Sequence, residues 1–217
     1  MVDMTDFVFM IEIIGTIAFA ISGAIVAIRR NMDIFGVIVL GVTTAVGGGM
    51  IRDILLGATP PAMFFHPSYV IVAVVTSLFV FLLMYFLRAK FDRYSQTVDQ
   101  WLNVFDSIGL GVFVVAGVNT AANEGYGDLA FLSIFVGTLT GIGGGILRDI
   151  LAGRIPVVLH KRVYAVAAIV GAMLYYYTST PLGNPMAMVF GLLATLSIRM
   201  LATYHKWNLP RIPNERE

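Results

Sequence analysis

The chain has 217 residues, of which 58% are hydrophobic and only 12% charged, with a mean hydropathy of +0.85 and a formal net charge of +1. Soluble domains carry about a quarter charged residues, so this composition describes an integral membrane protein, and its balanced charge excludes a basic surface for nucleic acid and an acidic tail. Cysteine is absent, which excludes disulfides, thiolate metal sites and thiol catalysis.

Met1 to Met10 carries Asp3 and Asp6 and no basic region, so the first apolar run reads as a retained span and not as a signal peptide. A helix needs roughly 17–25 apolar residues to cross the hydrocarbon core. Runs of that order lie at Phe7 to Ile28, Ile34 to Leu56, Tyr69 to Leu87, Trp101 to Ala121, Leu129 to Ala152, Val163 to Tyr177 and Pro185 to Tyr204. Turn residues separate them: Arg29-Arg30-Asn31, Pro60-Pro61 with Pro67, Asn123-Glu124-Gly125, and Pro181 to Pro185. Loops after the first, third and fifth runs carry Arg29, Arg30, Arg88, Lys90, Arg93, Arg154, Lys161 and Arg162, and the tail adds Lys206, Arg211 and Arg216. Basic residues are retained in the cytoplasm, so the N-terminus is expected outside and the C-terminus inside, in a multi-pass protein of the cell membrane. Trp101, Trp207 and Tyr175-Tyr176-Tyr177 suit interfacial anchors. Between the halves, Arg88 to Gln100 reads either as a helix lying on the cytoplasmic surface or as a solvated loop.

The sequence is internally repeated. Gly47-Gly48-Gly49-Met50-Ile51-Arg52-Asp53-Ile54-Leu55-Leu56-Gly57 returns as Gly143-Gly144-Gly145-Ile146-Leu147-Arg148-Asp149-Ile150-Leu151-Ala152-Gly153 at one constant offset. Gly41, Thr44 and Ala45 recur at the same offset as Gly137, Thr140 and Gly141. Glu12, Gly15, Phe19 and Gly23 recur at a slightly smaller one as Asp106, Gly109, Phe113 and Gly117. Each repeat holds three crossings, and an odd number inverts the second copy. The expected fold is therefore an all-α integral membrane protein of seven transmembrane helices, two inverted three-helix repeats plus a seventh. The expected division is residues 1–90 for the first repeat, 91–100 for the linker, 101–180 for the second repeat and 181–217 for the seventh helix and tail.

Small residues every fourth position let helices approach closely, which accounts for Gly41, Ala45 and Gly49. Gly47 and Gly48 point away from that stripe, and three consecutive glycines lower helix propensity, so both triplets are expected to kink their helices. Charges inside the membrane face the bundle interior and pair. At 1.5 Å per residue, Arg52 and Glu12 both lie roughly 10 Å towards the outer side, whereas Arg148 and Asp106 lie roughly 10 Å towards the inner side. Two clusters are thus expected, Glu12, Arg52 and Asp53 at the outer mouth and Asp106, Arg148 and Asp149 at the inner, with Glu12 and Asp106 as the partners of the arginines. They serve either as helix-locking ion pairs or as the ends of a polar path with Thr44 and Thr140 near its middle.

The twofold GGGxxRDxxxG pattern on three-helix repeats resembles the prokaryotic members of the trimeric intracellular cation (TRIC) channel family, over about Phe7 to Tyr204. The resemblance implies a homotrimer in which each subunit holds its own potassium-permeable pore, kinked at Gly47 to Gly49 and Gly143 to Gly145. The lysine-bearing lipid motif of animal members has no match between Asp106 and Gly117. Bacterial relatives with this repeat have also been labelled glycine transporters, so a secondary transporter of a small zwitterion such as glycine is the second expectation, and a scaffold without flux the third. Membrane lipid is an expected partner. No HExxH, GxSxG or Walker lysine is present, and no enzyme activity, metal or cofactor is expected; His66, His160 and His205 lack ligand spacing.

Overall fold

A computed structural model describes residues 4–86, 95–160 and 163–207. Among them there is no strand, and the chain folds as a bundle of long helices: α1 (Met4–Arg29), α2 (Ile34–Leu56), α4 (Ser68–Phe86), α5 (Ser95–Ala121), α6 (Ala130–Leu151), α8 (Tyr164–Leu182) and α9 (Asn184–Tyr204). Single turns α3 (Ala62–Phe65) and α7 (Val157–His160) follow α2 and α6. Among the described residues six helices, all of the long ones except α8, are long and apolar enough to cross a membrane. Helix α8 dilutes its apolar first half with the tyrosine, threonine and serine of Tyr175 to Thr180.

Local chemistry sets the boundaries. The Asp33 carboxylate accepts from the Gly36 amide at 2.8 Å and starts α2. Gly57 ends it in the left-handed region at φ 76°, and Gly153 takes φ 64° just beyond α6, a conformation that Cβ-bearing residues avoid. The final glycine of each repeated motif is thus a helix stop. Two boundaries differ from expectation. The fourth long helix begins at Ser95 and not at Trp101, because Asp99 is tied to Arg29 of α1 by an ion pair that holds the extra turns against the bundle. The remainder of the expected linker, including Phe91 and Tyr94, lies outside the described residues. Pro181 does not open the loop after the sixth run; it sits inside α8, and the break falls at Gly183 with φ 78°.

The centre of the bundle is made by backbone contact. A methyl group on Gly48 of α2 would collide with the Thr140 carbonyl oxygen of α6, and one on Gly144 would collide with the Thr44 carbonyl oxygen. Thr44 opposes Gly144 and Gly48 opposes Thr140, so numbers rise along one helix as they fall along the other. The two helices are antiparallel, and Arg52 and Arg148 lie towards opposite ends. Helices α1 and α5 repeat this geometry: a Cβ on Gly15 would overlap Val112, one on Gly109 would overlap Phe19, and the Phe19 and Phe113 rings meet with centroids 5.3 Å apart. Helix α9 joins α8 at another close approach, where a Cβ on Gly171 would sit 2.9 Å from the Gly191 oxygen and one on Gly191 equally close to the Gly171 oxygen. The outer surface is apolar, with Phe35, Phe86 and Phe131 among its exposed side chains, as suits a wall that faces hydrocarbon.

The glycine triplets lie at and beside this crossing. Both lie within continuous α-helix. Gly48 and Gly144, assigned above to a kink, are the residues packing demands, whereas Gly49, assigned to packing, has only the side chain of Arg52 near its missing Cβ. Gly48→Ala and Gly144→Ala should each destabilise the detergent-solubilised protein by about 1–3 kcal/mol through overpacking, and Gly49→Ala by less. Thermal denaturation of the three variants checks the order.

Candidate functional site

The Arg-Asp dipeptide is placed at the last turns of α2 and α6, where the chain leaves the bundle. In both copies the arginine Nε donates to the Oδ1 of the following aspartate, at 2.8 Å for Arg52 and Asp53 and 2.9 Å for Arg148 and Asp149. In both, the second carboxylate oxygen accepts a backbone N–H at 2.8 Å, from Ala62 at the start of α3 and from Val157 at the start of α7. A carboxylate at the first turn of a helix satisfies an otherwise orphaned donor. Each aspartate thus straps the loop after its helix while it orients the neighbouring guanidinium.

Beyond this shared strap the clusters diverge. In the second half, Arg148 Nη1 donates to Asp106 Oδ1 at 2.6 Å and also to the Ser22 hydroxyl, while Arg154 adds two hydrogen bonds to Asp149, at 2.9 and 2.5 Å. Arg199 of α9 donates to Asn103 Oδ1 at 3.2 Å and stands 3.8 Å from Asp106 Oδ2, with its guanidinium carbon 4.5 Å from the centre of the Tyr164 ring. Arg148, Arg199 and Asp149 are all buried. In the first half, Glu12 accepts from the Tyr69 hydroxyl at 2.5 Å and makes no ion pair with Arg52. The expected Asp106 and Arg148 pair forms; the expected Glu12 and Arg52 pair does not, because tyrosine occupies the carboxylate and Asp53 takes the Nε.

Arg52 instead faces a cavity of about 570 Å³, lined by Glu12, Thr16, Gly49, Asn119 and Glu124 among others. The cavity extends to Ala45 and Phe113, close to the helix crossings at the bundle centre. His66 also lines it; among the described residues no cluster of three His, Asp or Glu side chains suits a metal ion. Gly49 borders the cavity, where the missing side chain leaves room for the guanidinium. Gly145, its counterpart, has the Tyr164 hydroxyl 3.2 Å from its missing Cβ.

Thr44 and Thr140 do not line this cavity. Each hydroxyl donates to the carbonyl four residues earlier, Leu40 at 2.6 Å and Val136 at 2.7 Å, and each fills the notch left by a glycine of the neighbouring helix, Gly23 and Gly117. Gly47 and Gly143 are buried where α2 and α6 cross, against Leu147 and Gly48 respectively. Sequence reasoning overlooked Arg199, Tyr69, Tyr164, Ser22, Arg154 and the amides of Ala62 and Val157. Arg199 carried a usable signal, as a lone charge inside the last apolar run. Tyr69 and Tyr164 carried another, since they are separated by nearly the offset that relates the rest of the repeat. The backbone amides carried none.

The all-helical, multi-pass bundle has the fold of solved TRIC cation channels. A TRIC cation channel solved to explain its conductance superposes with a TM-score of 0.82 at 38% identity, covering 96% of this chain and 98% of that one. The TRIC trimeric intracellular cation channel orthologue from Rhodobacter sphaeroides superposes with a TM-score of 0.82 at 32% identity, covering 92% and 98%. In sequence, the UPF0126 inner membrane protein YadS of Escherichia coli is 42% identical over 207 residues, 93% of each chain. The family profile described as "Glycine transporter" matches residues 9–85 and again 103–180. The chain belongs to this family, as a prokaryotic member of the TRIC channel group.

Removing one partner from a buried ion pair leaves an uncompensated charge, at about 3–5 kcal/mol. Arg148→Ala should reach that range, whereas Arg52→Ala, which removes one ion pair and not two and leaves the buried Asp53 its backbone amide, should lose less. Chemical denaturation of the two variants in one detergent measures the difference.

Proposed function

We propose that the protein is a monovalent cation channel, permeable to potassium, that assembles as a homotrimer with a separate path through each subunit. The observation that carries this reading is the cavity. Glu12 and Glu124 place carboxylates around a cavity bounded by α1, α2 and the C-terminal end of α5, which reaches Ala45 and Phe113 beside the crossings at the bundle centre. Oxygen-lined routes of this kind substitute for the hydration of a cation. The channel structures that superpose on the chain, one of them a trimeric intracellular cation channel orthologue, support the reading.

In this reading the two halves are inverted three-helix repeats, residues 1–90 and 101–180, joined by 91–100 and followed by a seventh helix and tail at 181–217. The antiparallel crossings and the twice-matching family profile support that division. The N-terminus is outside and the C-terminus cytoplasmic, so the Arg52 cavity is the outer vestibule and the Arg148 cluster the inner mouth. The path bends at Gly47 to Gly49 and Gly143 to Gly145, where low helix propensity lets α2 and α6 flex about their contact. Thr44 and Thr140 flank that contact. Arg52 acts as a positive barrier in the vestibule, partly offset by Asp53 and Glu12, and the apolar outer wall is sealed by lipid and by partner subunits.

A second reading, secondary transport of a small zwitterion such as glycine, is favoured by one feature: the cavity presents a cation, Arg52, and a carboxylate, Glu12, together. Purified protein in planar bilayers under a potassium gradient separates the two. Discrete unitary currents that reverse near the potassium potential are expected; saturable glycine uptake without unitary currents would replace the channel with the transporter. Reversing the vestibule charge by Arg52→Glu should raise unitary cation conductance roughly two- to fivefold at low salt, and less at high salt, where the field is screened.

A further inference from the structure

The two halves place the same four residue types at equivalent positions: an acid (Glu12, Asp106), an arginine (Arg52, Arg148), its following aspartate (Asp53, Asp149) and a tyrosine at the start of the third helix (Tyr69, Tyr164). They are paired differently. In the first half the acid is held by the tyrosine, and the arginine is turned to the cavity. In the second half the acid is held by the arginine, and the buried Tyr164 hydroxyl stands beside Asp106 without a hydrogen bond of normal geometry. One constellation therefore exists in this structure in two arrangements, a released one at one end and a locked one at the other.

Helix α9 supplies the difference, for among the described residues it has no counterpart packed on the first half. Its Arg199 lies over the Tyr164 ring, bonds Asn103, and brings a second positive charge to Asp106. A cation over an aromatic face is attracted to it and fixes the ring, and two guanidinium groups on one carboxylate compete with the neighbouring hydroxyl for its oxygens. The locked arrangement leaves two buried polar atoms unsatisfied, the Tyr164 hydroxyl and Arg199 Nε. Buried donors without partners are destabilising, so the lock is opposed by a hydrogen bond waiting to form between Tyr164 and Asp106.

We propose that Arg199 is the positioning residue that holds the second-half mouth shut, and that opening transfers Asp106 from Arg148 to Tyr164, reproducing the pairing already present between Glu12 and Tyr69. This rests on the clusters being the two ends of one path, and the test separates that premise from the lock itself. The chain contains no cysteine, so Ser22→Cys, at a buried position beside Arg148, introduces a single reporter of similar size. The full-length protein is reconstituted in liposomes and exposed on both faces to a membrane-impermeant methanethiosulfonate, with potassium flux measured in parallel.

In the Ser22→Cys background, Arg199→Gln should speed labelling roughly tenfold and raise flux with it. Arg199→Lys, which keeps a cation above the ring, should restore slow labelling. Adding Tyr164→Phe to Arg199→Gln should return labelling towards the parent rate, because the released arrangement loses its hydrogen bond. Labelling at the parent rate in Arg199→Gln, or fast labelling that survives Tyr164→Phe, overturns the lock. Faster labelling without any potassium flux supports the lock and overturns the conducting path. Should Arg199→Gln not be recovered folded, Tyr164→Phe alone decides: it removes a hydroxyl unbonded in the locked state, labelling should fall below the parent rate, and an unchanged rate overturns the proposal.

Discussion

At the middle of this protein the polypeptide backbones of α2 and α6 touch, and almost everything else is positioned by that contact. Gly48 and Gly144 each lie against a carbonyl oxygen of the opposite helix, with no room for a methyl group on either side. In hydrocarbon no hydrophobic force draws helices together, and close backbone packing takes its place. The antiparallel sense of the crossing sends Arg52 and Arg148 to opposite ends. The Phe19 and Phe113 pair and the notches that receive Thr44 and Thr140 surround the same centre. A wider residue at the contact would separate the helices and shift both charge clusters together.

The repeated motif resolves into parts with separate physical jobs. Its glycines permit the crossing, its arginine carries charge to the end of the helix, and its aspartate both orients that arginine and straps the following loop through a backbone amide. Its last glycine ends the helix with a positive φ. A buried aspartate bound on one oxygen by a guanidinium and on the other by an amide has both oxygens hydrogen-bonded and its charge paired, which is the condition under which a charge is tolerated away from water. The strap is therefore structural in both halves, and the freedom to differ rests with the residues beyond it.

The halves do differ. One end opens into a cavity with its acid bonded to tyrosine; the other is closed around two arginines from different helices sharing one carboxylate. The element that breaks the symmetry is the last helix, which packs on α5 and α8 and brings Arg199 to Asp106. The ends differ because Arg199 reaches Asp106 from a helix that, among the described residues, has no counterpart packed beside Glu12.

The sequence by itself determined that the chain is an α-helical membrane protein, that it is duplicated, and that its charges gather into a cluster at each end of the motif-bearing helices. These follow from composition, from spans of hydrocarbon length and from the constant offset between motifs, all of which are local or periodic properties. The pairing of Asp106 with Arg148 was legible because helical rise alone brings them to one depth. What the glycines do was not. Gly48 and Gly49 are indistinguishable in a linear sequence, and only the azimuth at which a second helix arrives makes one a contact and the other a cavity wall. The partner of Glu12 and the role of Arg199 were decided by tertiary structure for a related reason: depth in the membrane is set by counting residues along one helix, whereas the choice among partners at the same depth depends on which helices are neighbours.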